Sequence, residues 1–189
     1  MRLSKDHFFE GAYYHLFNHA AKGQLLFRSN ADYAYCHKLM LQHLSPELFT
    51  VHAYCLMPNH FHFLIQQLTD QSVAEAFFHI WNKYSKHYNR TYNEYGSVFC
   101  HKLQHVLVNT NEHLQALVAY IHMNPVAASM VSDPGKWEWS DYLNWVGERD
   151  SALFNPLLRD SWYQEPDSYR RQLAEVSYDK LNKELMLDS

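Results

Sequence analysis

The sequence predicts an α+β fold, a split βαβ antiparallel sheet with helices packed mainly on one face. Three observations carry this expectation. Aromatic-rich extended runs alternate with longer stretches of helical periodicity, in the order strand, helix, strand, strand, helix, strand, helix. A turn pair, Pro58-Asn59, separates the second and third extended runs and makes them a hairpin. Only five glycines interrupt the 189 residues, and no internal repeat is visible.

Each element follows from its residues. Ala12 to His19 is rich in aromatics, which suits a first strand, and Ala31 to Leu44 carries apolar residues at helical spacing. Leu48 to Met57 alternates loosely before the turn, and His60 to Gln66 forms the second arm of the hairpin. Ser72 to Arg90 spaces Val73, Ala76, Phe77, Ile80, Trp81 and Tyr84 by three and four, and Tyr95-Gly96 breaks that helix. Val98 to Val108 reads as a fourth strand. Asn111 to Met123 opens with a polar cap and continues with Leu114, Leu117, Val118 and Ile121 in helical register, and Pro125 is expected to stop it near Asn124. The aromatic stretch Trp137 to Tyr142 follows. A C-terminal helix is expected to place Tyr169, Leu173, Val176, Leu181 and Leu185 on one side. Residues 1–147 then form one domain and residues 148–189 a partly helical extension.

Composition bounds the function. With 47% hydrophobic residues the chain can fill a core unaided. It has neither a run of about eighteen apolar residues nor a signal-peptide core, so a cytoplasmic protein without membrane contact is expected. The three cysteines are widely spaced and suggest inert thiols rather than a disulfide framework or zinc ribbon. A net charge of −4 gives no general attraction for nucleic acid, so any DNA contact must use a local basic patch. Lys83, Lys86 and Arg90 on the polar side of one helix, together with Lys102, are the candidates; the alternative is a solvated helix face. Trp137 and Trp139 could stack on unpaired bases or belong to the core.

Fourteen histidines are the compositional anomaly. In a strand His60 and His62 point to one face while Phe61 and Phe63 point to the other, so the two imidazoles can converge on one ion. Chance alone gives about one His-x-His triplet in so histidine-rich a chain, so two surface or hydrogen-bonded histidines are the competing reading. Tyr120 and Asn124 lie four residues apart on a helix and share a face. A half-buried core tyrosine and a helix-ending asparagine are the bland readings of that pair.

Read together, Met57-Pro58-Asn59-His60-Phe61-His62, then Tyr120-Ile121-His122-Met123-Asn124-Pro125-Val126, then Trp139-Ser140-Asp141-Tyr142, resemble the IS200-like transposase family. The likeness is to its REP-associated tyrosine transposases, spans roughly residues 10 to 145, and is supported by Tyr14 to Asn18 and Gly96 to Phe99. The resemblance implies a ferredoxin-like, histidine-hydrophobe-histidine (HUH) nuclease fold. It implies that His60 and His62 bind Mg²⁺ or Mn²⁺, that Asn124 assists the metal, and that Tyr120 is the nucleophile. The implied substrate is single-stranded DNA with an adjacent hairpin, and the implied product is a 5′-phosphotyrosine with a free 3′-hydroxyl. Enzymes of this kind place the tyrosine helix in their own subunit or a neighbour's, which leaves a homodimer open. The chain departs from the family in its acidic balance and at Asn18-His19-Ala20, where an Asn-Arg-Gly type of sequence is usual. The rival functions are a domesticated DNA-binding protein that no longer cuts, and a zinc or iron enzyme using His60 and His62 with His101 or His105.

Overall fold

The computed structural model describes residues 8–21, 23–178, 181 and 185. Its elements are β1 (Tyr13–His19), α1 (Asn30–His43), β2 (Phe49–Met57), β3 (His60–Gln67), α2 (Val73–Tyr92), β4 (Gln104–Val108) and α3 (Asn111–Ala127). A 3-10 turn at Pro134–Lys136 leads to three shorter helices, α4 (Tyr142–Trp145), α5 (Leu157–Trp162) and α6 (Pro166–Ala174). The four strands pair antiparallel in the order β2-β3-β1-β4, as a split βαβ arrangement requires.

Local chemistry fixes the starts of the helices. The Asp32 carboxylate accepts from the backbone N–H groups of Arg28 and Ser29 at 2.8 and 2.9 Å, closing the first turn of α1. Buried Gln67 at the end of β3 accepts from Val73 N at 3.0 Å and so joins strand to α2. Thr110 accepts from His113 N at 3.2 Å at the start of α3.

The helices occupy both faces of the sheet, which corrects the expectation that they pack mainly on one. Along β3, Phe61, Phe63 and Ile65 enter a core with α1 and α2, while Leu64 enters a second core with α3. The reason lies in α3, which buries Leu114, Leu117, Val118, Ala119, Tyr120, Ile121, His122 and Asn124 around nearly its whole circumference. Such a helix lies between two layers, here the sheet and the C-terminal segment. Tyr169 and Leu173 of α6, with Leu181 and Leu185, supply that outer layer, but the expected continuous helix is interrupted: α6 ends at Ala174 and half-buried Val176 lies outside it.

Two further readings are corrected. The fourth strand is confined to Gln104–Val108, and Phe99 contributes only an isolated bridge to Ala20. Pro125 does not end α3, which continues to Ala127. Pro125 has no N–H to bond the preceding turn, yet the helix carries on past it, with Ala128 N donating to Asn124 O at 2.9 Å and the Asn124 side-chain amide donating to Tyr120 O at 2.9 Å. The aromatic stretch after residue 136 closes the outer edge of β2. Leu56 N donates to Trp139 O at 2.9 Å, Trp137 Nε1 donates to Leu56 O at 3.0 Å, and Cys55 bridges to Ser140.

Candidate active site

Alternation along β3 turns His60 and His62 away from the α1–α2 core, toward α3. On the adjacent strand β1, Phe17 pairs with His62 and His19 with His60, so His15, Phe17 and His19 point to the same side. Tyr120 and Asn124, one turn apart on α3, face these residues. With Ala127, Ala128 and Tyr178 they enclose a cavity of about 270 Å³.

Tyr120 meets the His62 ring edge-on, with centroids 5.4 Å apart, and Tyr178 stacks on its other side at 5.1 Å and 19°. The His60 and His62 rings are 5.1 Å apart at 77°, and His19 stacks on His60 at 5.1 Å. Burial pushes the pKa of His62 well below its ordinary value, and the nearby His15, His60 and His19 lower it further. Burial, with a smaller effect of His113, likewise pulls His15 down to about 3. Both rings are therefore neutral near pH 7, the state a metal ligand needs.

The donor set suits a divalent cation. His60 Nδ1 lies 2.8 Å from Asn59 Oδ1, which can only accept, so the proton of a neutral His60 sits on Nδ1. His60 Nε2 is then a lone pair facing Asn124 Oδ1 at 3.2 Å, because the Asn124 amide nitrogen donates to Tyr120 O. In that tautomer the two acceptors can share a cation. Two imidazoles and one amide oxygen could hold a divalent cation, with phosphate or water oxygens completing the shell. Among the described residues no group of three or more histidine, cysteine, aspartate or glutamate side chains could hold a metal ion.

A family model described as IS200-like transposase matches residues 8–124. The chain belongs to the IS200-like transposase family. A solved structure of a REP-associated tyrosine transposase bound to a REP hairpin shares its fold, with a TM-score of 0.60 and 14% identity over 82% of this chain and 94% of that one. No curated protein matches the chain.

The fold thus brings His60, His62, Tyr120 and Asn124 of this transposase into one cavity and leaves the other candidates outside. Lys83, Lys86 and Arg90 are exposed on α2, across the sheet from the cavity, and Lys83 Nζ lies 3.0 Å from His43 Nε2. Lys102 is exposed just before β4, at the sheet end that bears the cavity, where Asn18 Nδ2 donates to His101 O at 3.0 Å. Trp139 stacks on Tyr33 at 4.8 Å and 9°, and both tryptophans pack partly buried against the core. The His105 ring packs on Phe8 and Tyr14, and neither His101 nor His105 lines the cavity.

Sequence reading missed His15, Phe17, His19 and Tyr178 as cavity residues. The first three carry the same period of two as His60 and His62, and become visible once β1 is placed beside β3. Tyr178 has no such signal. Also missed was a buried network beneath α3. His122 Nε2 lies 3.0 Å from Asp141 Oδ1, Tyr169 Oη lies 2.5 Å from His122 Nδ1, and Tyr54 N donates to Asp141 Oδ1 at 2.7 Å.

Proposed function

We propose that this transposase cleaves and rejoins single-stranded DNA through a covalent 5′-phosphotyrosine on Tyr120, with Mg²⁺ or Mn²⁺ held by His60, His62 and Asn124. The observation that carries the reading is the shared cavity, in which Tyr120 packs against His62 and Asn124 Oδ1 stands 3.2 Å from His60 Nε2.

Attack forms a bond from the Tyr120 phenolic oxygen to phosphorus and breaks the bond from phosphorus to the 3′ oxygen. The 3′ oxygen leaves as a hydroxyl, the phenol gives up its proton, and the 5′ phosphate remains on Tyr120. When bound, the divalent cation supplies positive charge to the phosphate oxygens. His60 and His62 act as neutral donors, and Asn124 fixes its oxygen toward the same point by anchoring its amide on Tyr120 O. Because the phosphotyrosine conserves the bond energy, the released or another 3′-hydroxyl can reverse the step, as strand transfer requires.

All four groups come from one chain, which supports a tyrosine acting within its own subunit and makes a homodimer unnecessary for catalysis. The solved relative was bound to a REP hairpin, and this supports a hairpin-bearing strand as substrate here. We assign DNA contact first to Lys102. Lys83, Lys86 and Arg90 form a second tract: α2 runs back toward the cavity end, with Phe63 against Phe77 and Phe61 against Trp81. The reading takes residues 1–147 as the nuclease domain and residues 148–189 as its extension.

The test is incubation of the full chain with hairpin-bearing single-stranded oligonucleotides and Mn²⁺, followed by denaturing electrophoresis. A covalent adduct is expected, and Tyr120→Phe or a chelator abolishes it. No adduct from the wild type would favour a domesticated binding protein, and an adduct that survives Tyr120→Phe would refute the nucleophile.

A further inference from the structure

We infer that His15 is a positioning residue for His62, accepting its Nδ1–H and thereby keeping the His62 Nε2 lone pair turned to the cavity. The inference rests on the proposed metal site and deepens it. His15 Nε2 lies 3.0 Å from His62 Nδ1, and the two ring planes are 21° apart with centroids at 5.2 Å. This is an edge-to-edge bond between two imidazoles, not a face-to-face stack.

A bond between two ring nitrogens holds one proton and has two arrangements. With the proton on His62 Nδ1, the Nε2 of a neutral His62 is a lone pair that can bind a cation. With the proton on His15 Nε2, a neutral His62 must carry its own proton on Nε2 and cannot. Only the first arrangement makes His62 a ligand, so His15 has to be the acceptor. Metal-binding histidines are commonly held at their second nitrogen by a carboxylate, a backbone carbonyl or water. An imidazole in that place orients the ligand without adding negative charge to a cavity that must admit a phosphodiester.

The strands support this role. In the β1–β3 register His15 is opposite Leu64, and it reaches His62 along the diagonal. His15 is 1% exposed and stacks on Phe17 at 4.7 Å, which shields the bond from competing water. The sequence gives no hint of the pairing, because positions 15 and 62 become neighbours only through the sheet.

The inference is tested by Mn²⁺ binding to the full chain, read from the paramagnetic resonance signal of free Mn²⁺, with circular dichroism as the folding control. His15→Phe keeps the ring volume and removes the acceptor, and it is expected to weaken Mn²⁺ affinity about 10- to 100-fold. His15→Gln supplies an amide oxygen as replacement acceptor and is expected to stay within about three-fold of wild type. A second measurement needs no variant: nitrogen-15 resonances of the metal-free wild type should show His62 protonated at Nδ1. Unchanged Mn²⁺ affinity in His15→Phe, or a His62 proton at Nε2, overturns the inference. His60→Ala separates the two levels. If it abolishes Mn²⁺ binding while His15→Phe leaves the affinity unchanged, His15 has no positioning role; if it leaves binding intact, the metal site itself is misassigned.

Discussion

Tyr120, the proposed nucleophile, packs against His62 and Tyr178 and is only 3% exposed, so the side chains around it would control its reactivity. The account predicts graded losses in single-turnover adduct formation. His62→Ala should slow it by on the order of 100-fold or more, because a ligand and the edge contact to Tyr120 are both lost, and Asn124→Ala by on the order of ten-fold. Equal rates in wild type and Asn124→Ala would remove the amide from the site. A separate prediction concerns acid stability. Burial lowers the pKa of His52 from 6.5 to about 4, although Gln66 and Asp141 work in the opposite direction. Between those values the unfolded chain takes up a proton that folded His52 refuses. Stability therefore falls as the pH drops through about 6.5 and stops falling on this account below about 4, by a total on the order of 3 kcal/mol. Urea unfolding at pH 5 and pH 7.5 should show a smaller pH effect in His52→Gln than in wild type; identical effects would exclude His52 as the source.

At the scale of elements, α3 decides whether a site exists, since it carries Tyr120 and Asn124 across the face of the sheet. His122, on the opposite side of the helix, ties it down through Asp141 and Tyr169, and Asp141 also holds β2 through Tyr54 N. Tyr169→Phe leaves His122 Nδ1 without its buried donor and is expected to lower the unfolding free energy by about 1–3 kcal/mol. His122→Leu leaves Asp141 with Tyr54 N as its remaining donor and is expected to cost about 1–3 kcal/mol. Urea titrations measure both, and a loss below about 0.5 kcal/mol in each would show that the network is not an anchor. Much of this was legible from spacing. The pairs His60/His62 and Tyr120/Asn124 follow from periods of two and about four, and they do face one cavity. Pro125 misled because a proline disfavours helix at the residue before it without forbidding it, and the burial of α3 on both sides holds the chain helical to Ala127. The one-sided packing misled because α3 is buried on two sides, one of them by residues far along the chain.

For the whole molecule, the chain is acidic overall, and the proposed function therefore requires local positive charge at the cavity end of the sheet to hold DNA. Lys102→Ala should weaken hairpin binding for all sequences alike and reduce the slope of log affinity against log salt by about one. An unchanged slope would remove Lys102 from the DNA path. The outer side of α2 was readable as a basic face, but its position across the sheet from the cavity was not, because only the pairing order β2-β3-β1-β4 settles which face each helix covers. His15, His19 and Tyr178 escaped for the same reason. The period of two at His15 and His19 points to the site only once β1 is placed beside β3, and Tyr178 reaches it by a chain return that leaves no local pattern. The most direct test of the central claim is to digest the adduct formed on a hairpin-bearing single strand and locate the nucleotide by mass spectrometry. The account predicts a 5′-phosphodeoxynucleotide on the peptide that contains Tyr120, and attachment to Tyr178 or to any other residue would contradict it.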